Sequence, residues 1–140
     1  MHRSLLAPLM VLVLWTFAMC VWMYATRIPA MIRLRVAYDP RRPVGEFQAQ
    51  LPPAVRWKAD NYNHLMEQPT IFYAVALTLA FLGADGSFNA ALAWAYVGVR
   101  VVHSFVQATM NIIPLRFAIF IVGTLVLLVL SLRAAWVIFG

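Results

Sequence analysis

Four stretches of this chain are apolar over the length that a hydrocarbon core demands: Leu5 to Thr26, Leu65 to Gly83, Phe88 to Met110 and Leu115 to Phe139. A helix needs about 20 such residues to cross a bilayer, because every backbone N–H and C=O in lipid must be satisfied within the helix itself. The expected fold is therefore an all-α integral membrane protein, a bundle of four transmembrane helices. Composition agrees, since 64% of the 140 residues are hydrophobic and only 11% are charged, against about 25% charged in a soluble domain. Mean hydropathy is +0.79.

The first stretch reads as a retained helix and not as a signal peptide. Its apolar run is too long, and no small-x-small cleavage site precedes the basic segment that follows. Phe17 and Met19 stand where a lipoprotein signal needs leucine and small residues, so Cys20 is read as a small packing or lipid-facing residue. As the one cysteine of the chain it has no internal partner for a disulfide.

Seven of the eleven basic residues, Arg27, Arg33, Arg35, Arg41, Arg42, Arg56 and Lys58, lie between the first and second apolar stretches. By the positive-inside rule the connecting loop 27–52 is cytoplasmic, in a multi-pass membrane protein. Asp85 in the short turn 84–87 fits the opposite side, while Arg3 and Arg133 weigh slightly against it. The arginines are interleaved with Pro, Gly and acids, so their expected contact is with anionic headgroups and not with a nucleic acid. Pro29, Pro40, Pro43, Pro52 and Pro53, with Gly45, predict that no long helix runs through this loop. The chain forms a single domain, 1–140, with helices expected near 5–26, 53–83, 88–110 and 115–139. Pro53 suits a first helical turn, and Pro69 is expected to kink the second helix.

Inside the third stretch stand residues that lipid should reject. Tyr96, Arg100, His103, Gln107 and Asn111 fall at offsets 0, 4, 7, 11 and 15, a single stripe on a helix. An arginine at the centre of an apolar helix costs about 2.5 to 3.5 kcal/mol on insertion scales, so the stripe should face protein or water. The second helix carries its own stripe, Arg56, Asp60, Asn63 and Glu67, at offsets 0, 4, 7 and 11. Arg56 and Asp60 have the spacing of an exposed i, i+4 pair; Glu67 sits at the membrane boundary, where acids and arginines normally pair. Arg116 falls in the first turn of the fourth helix, against the helix dipole, so something else must require it there. Gly98 and Gly123 are candidates for close helix approach.

Side by side, helices two to four bring Arg56, Asn63, Glu67, Arg100, His103, Gln107 and Arg116 towards one cytoplasmic-side cavity. Its inventory, basic with one acid, suits a small anionic or zwitterionic ligand with carboxylates to clamp. His103 and Glu67 are too few for a metal centre, so none is expected. No nucleophile elbow, phosphate loop or dinucleotide fingerprint is present. Were the ligand a thiol, whose free pKa is about 8.5, a neighbouring arginine would favour the thiolate.

These residues resemble the membrane-associated proteins in eicosanoid and glutathione metabolism, the MAPEG family. Arg56 followed by Asn63-His64-Leu65-Met66-Glu67-Gln68-Pro69 is similar to the family's Arg, Asn, Glu and Pro signature, and Arg100, His103, position 107 and Pro114-Leu115-Arg116 keep the spacing of its prostaglandin E synthase branch. The resemblance implies a four-helix subunit, a homotrimer, and glutathione as co-substrate bound between subunits near the cytoplasmic face. Arg116 would activate the thiol; Arg56, Asn63, Glu67, Arg100, His103 and position 107 would hold the tripeptide. Three residues separate Asn63 from Glu67 where eukaryotic members have two, and Gln107 replaces a common tyrosine, departures that resemble the bacterial branch.

The reading that follows is a glutathione-dependent membrane transferase or peroxidase acting on lipophilic electrophiles, with a role in detoxification or eicosanoid-like lipid metabolism. A non-catalytic lipid- or partner-binding membrane protein of the same fold is the alternative. A small multidrug-type transporter would need a carboxylate in its first helix, and 5–26 has none.

Overall fold

The computed structural model describes residues 3–140, of Arg3 only the backbone. It is all-helical, in the order α1 (Arg3–Leu34), α2 (Val44–Ala49), α3 (Pro53–Leu65), α4 (Pro69–Phe81), α5 (Ser87–Thr109) and α6 (Ile113–Phe139). Two of these, α1 and α6, are long and apolar enough to cross a membrane, and most of each faces outward.

Two expectations are corrected. The first helix does not end near Thr26 but continues through Pro29 to Leu34, so the loop is shorter than 27–52 and contains α2. A proline ring removes one backbone donor and crowds the carbonyl four residues earlier. Here that carbonyl belongs to Ala25, and Ala25 and Pro29 are both exposed, so nothing buried is orphaned. Packing holds the extension: Arg27 lies 5.7 Å from the Phe47 ring of α2, and Ala30 is buried.

The second helix is not one kinked rod over 53–83. It breaks after Leu65 and restarts at Pro69, which occupies the first turn of α4. Across the break the bonds shorten to i→i−3 type, from Met66 N–H to Asn63 O at 2.9 Å, Glu67 N–H to His64 O at 3.4 Å and Thr70 N–H to Glu67 O at 3.1 Å. Pro69 cannot supply the donor that would continue the ladder, and its ring excludes a helical carbonyl at Leu65. The α4 that remains has 13 residues, about 20 Å at 1.5 Å per residue, less than the about 30 Å of a hydrocarbon core.

The core lies where α1, α4, α5 and α6 meet. Leu5, Leu12, Phe72, Leu79, Tyr96 and Leu130 are fully buried there, and Phe72 stacks on Tyr96 with centroids 4.7 Å apart. Gly123 lets α6 approach α5, since an added Cβ would stand 3.2 Å from Val99 Cγ1; Gly98 faces open space and does not mediate a close approach. Cys20 is half-buried on α1. At the end of the bundle away from the helix break, Asn89 receives Arg133 Nε at 3.3 Å and donates to the Ala84 carbonyl at 2.8 Å.

Candidate functional site

The stripe of α5 turns inward. Tyr96, Arg100, His103 and Gln107 are buried and Asn111 is half-buried. Arg100 is 1% exposed, yet only Nη2 is bonded, donating to the His64 carbonyl at 3.0 Å; its Nε and Nη1 have no partner. The helix break explains the bond. The His64 carbonyl has lost its proper helical donor and holds only the long contact to Glu67 N–H, so the guanidinium completes it.

Arg100 lines a cavity of about 280 Å³ with His64, Glu67, Gln68, His103 and Arg116, closed on the α6 side by Ile113, Phe117 and Phe120. One wall is thus cationic and the other apolar. His103 stands between the two, 6.2 Å from the Phe120 ring and 6.4 Å from the His64 ring. A second hollow of about 280 Å³ shares His64, Glu67 and Arg116 with the first and adds Asp60, Asn63 and Gln107. A third, of about 300 Å³, shares Asp60 with the second and is lined by Arg56, Trp57, Gln48 and Asn111.

The predicted residues are therefore divided and do not share one cavity. Glu67, Arg100, His103 and Arg116 line the first hollow, Asn63 and Gln107 the second, and Arg56 only the third. Arg56 and Asn63 stand seven residues apart on α3, about 10 Å along its axis, so the α3 stripe spans more than one hollow. Expected ion pairs are also absent. Among the described residues the ion pairs belong to Arg42, with Asp39 and Glu46 at 3.6 Å each; neither Arg56 and Asp60 nor Arg100 and Glu67 pair. Glu67 is exposed while Arg100 is spent on the His64 carbonyl, which keeps the two apart.

Two residues of this site escaped the sequence reading. His64 meets Gln107 Oε1 through Nδ1 at 2.9 Å, so the amide oxygen of Gln107 is occupied within the protein while its buried Nε2 has no partner. Gln68 donates to Thr124 Oγ1 at 2.8 Å and accepts from the Tyr96 hydroxyl at 3.3 Å, tying the start of α4 to α5 and α6. The signal was present, because His64 lies four residues past Asp60 on the same helical face and Gln68 four further.

A buried arginine without an ion-pair partner, beside an apolar wall in a helical chain with membrane-length apolar helices, defines a membrane-associated protein with an internal polar site. The MAPEG family model matches residues 5–136, and the chain belongs to the MAPEG family, which includes glutathione-dependent transferases and peroxidases. No curated protein matches the chain, and no solved structure does.

Proposed function

We propose that this chain is a glutathione-dependent transferase or peroxidase that acts on lipophilic electrophiles, as a four-span homotrimer of a bacterial inner membrane with the 35–52 loop cytoplasmic. The observation that carries the reading is Arg100, buried with two unpartnered donors in the wall of a cavity that also holds Arg116. Buried unpaired donors are costly, and an anionic ligand relieves that cost. Glutathione offers two carboxylates, an ammonium and a thiol along an extended chain. The succession of hollows offers arginines at both ends for the carboxylates, and the acids Asp60 and Glu67 for the ammonium.

In this reading Arg100 and Arg56 hold carboxylates, Asn63 and His103 supply hydrogen bonds, and Gln107 acts by fixing His64. Arg116 stabilises the thiolate, whose lone pair forms the new S–C bond in a transferase while the electrophile's leaving group departs with the electron pair of the bond that breaks. Ile113, Phe117 and Phe120 receive the apolar electrophile from the bilayer. Titration calorimetry of the detergent-purified protein with glutathione, alongside native mass spectrometry, tests both parts. Binding with a 1:1 subunit stoichiometry in a trimer is expected; absence of any heat of binding would overturn the glutathione reading and leave a non-catalytic member of the family.

A further inference from the structure

Arg116 stands in the first turn of α6, where the positive end of the helix dipole disfavours a cation. One contact holds it there: its Nη1 donates to Asn111 Oδ1. Asn111 in turn owes its place to the backbone. It has φ 49°, in the left-handed region, and its N–H closes α5 by bonding to the Val106 carbonyl at 2.7 Å. Glycine makes that turn at least as cheaply, and asparagine is the common residue that both tolerates it and carries an acceptor.

We propose that Asn111 is a positioning residue for Arg116: its amide oxygen takes one guanidinium donor and aims the remaining ones into the hollows that Arg116 lines with His64 and Glu67. The inference rests on the reading of Arg116 as the group that stabilises a bound thiolate. A neutral acceptor matters. An aspartate would suit the turn equally well, but its carboxylate would compete with the thiolate for the same charge. The amide orients the guanidinium and leaves its charge available. The S–H bond breaks with its electron pair kept on sulfur and its proton passing to water, and the held cation lowers the pH at which this happens.

The test uses Asn111→Gly, which keeps the left-handed turn and deletes the acceptor, and Asn111→Asp, which keeps both and adds a charge. In the purified full-length protein, kcat/KM for glutathione with a chlorodinitrobenzene electrophile is followed against pH. Both variants are expected to lose at least tenfold at neutral pH and to recover towards wild type as pH rises to about 8.5 and beyond, where a free thiol ionises unaided. A change confined to the turn would not move that acid limb. A second readout needs no ligand: phenylglyoxal labelling of Arg116, read by mass spectrometry, should be several-fold faster in Asn111→Gly. An unmoved acid limb or unchanged labelling in Asn111→Gly overturns the role of Asn111. Faster labelling in a protein whose wild type neither binds nor turns over glutathione upholds the tether and overturns the functional reading instead.

Discussion

Replacing Arg100 with methionine sets the two roles of this side chain against each other. Methionine fills a similar shape with no polar hydrogen to satisfy. The ligand-free protein would lose the charge-assisted bond to the His64 carbonyl, worth about 2 kcal/mol. It would also be rid of two buried, unpaired donors, Nε and Nη1, which at about 2 kcal/mol each outweigh that loss. The expected result is a net stabilisation of about 2 kcal/mol, or about 6 °C in Tm for a chain of this length. Glutathione binding should move the other way, weaker by about 100-fold, because about 3 kcal/mol of charge-assisted bonding to a carboxylate is gone. Thermal unfolding followed by tryptophan fluorescence, with and without glutathione, reads both numbers in one experiment. A variant that melts several degrees lower and still gains stability from glutathione would refute the reasoning. Arg100 would then be only a clasp on the helix break.

Three further outcomes are expected. Arg116→Ala should cut kcat by two or more orders of magnitude while calorimetric affinity and trimer assembly stay near wild type; equal turnover would remove Arg116 from the chemistry. Gly98→Ala should stabilise α5 by about 0.5–1 kcal/mol through helix propensity, whereas Gly123→Ala, with its new Cβ 3.2 Å from Val99 Cγ1, should gain nothing or lose stability, a difference seen directly in paired melting curves. Leu130→Ala, at a fully buried position between α6 and its neighbours, should cost about 2–5 kcal/mol, and a loss below 1 kcal/mol would place Leu130 against lipid and not in the core.

Much of this architecture was legible because lipid solubility is a blunt filter on sequence. An apolar run with Arg100 in it has few ways to fold, and the spacing of Tyr96, Arg100, His103 and Gln107 told which way the helix faces. The prolines were less legible, since their effect depends on surroundings a sequence does not display. Pro8 and Pro29 both lie inside α1, the first fully buried and the second exposed, whereas Pro69 opens α4 after a turn whose Met66 and Glu67 are exposed. The same local chemistry gave continuity in one place and a break in the other. Arg56 was grouped with Arg100, yet it stands in the first turn of α3, about 10 Å along the helix from Asn63, and lines a separate hollow.

That break also explains why an arginine, and not a lysine or glutamine, suits position 100. A carbonyl freed at His64 needs one donor directed sideways from α5, and a cavity beyond it needs others directed past that carbonyl. A planar guanidinium presents five donors in a fixed fork and meets both needs from one side chain; an ammonium is a point, and an amide has only two donors and no charge. The geometry therefore ties the break to the cavity, since Arg100 bonds the His64 carbonyl through Nη2 and lines the cavity beside it. Asn111 repeats the arrangement at the far end of the same helix, where a residue that completes a backbone turn also holds a cation towards the cavity. Each arginine is thus bonded to an uncharged oxygen, at His64 and at Asn111, and the carboxylates of Glu67 and Asp60 stay out of ion-pair range. A site built this way leaves two donors of Arg100 unpartnered in the wall of the cavity.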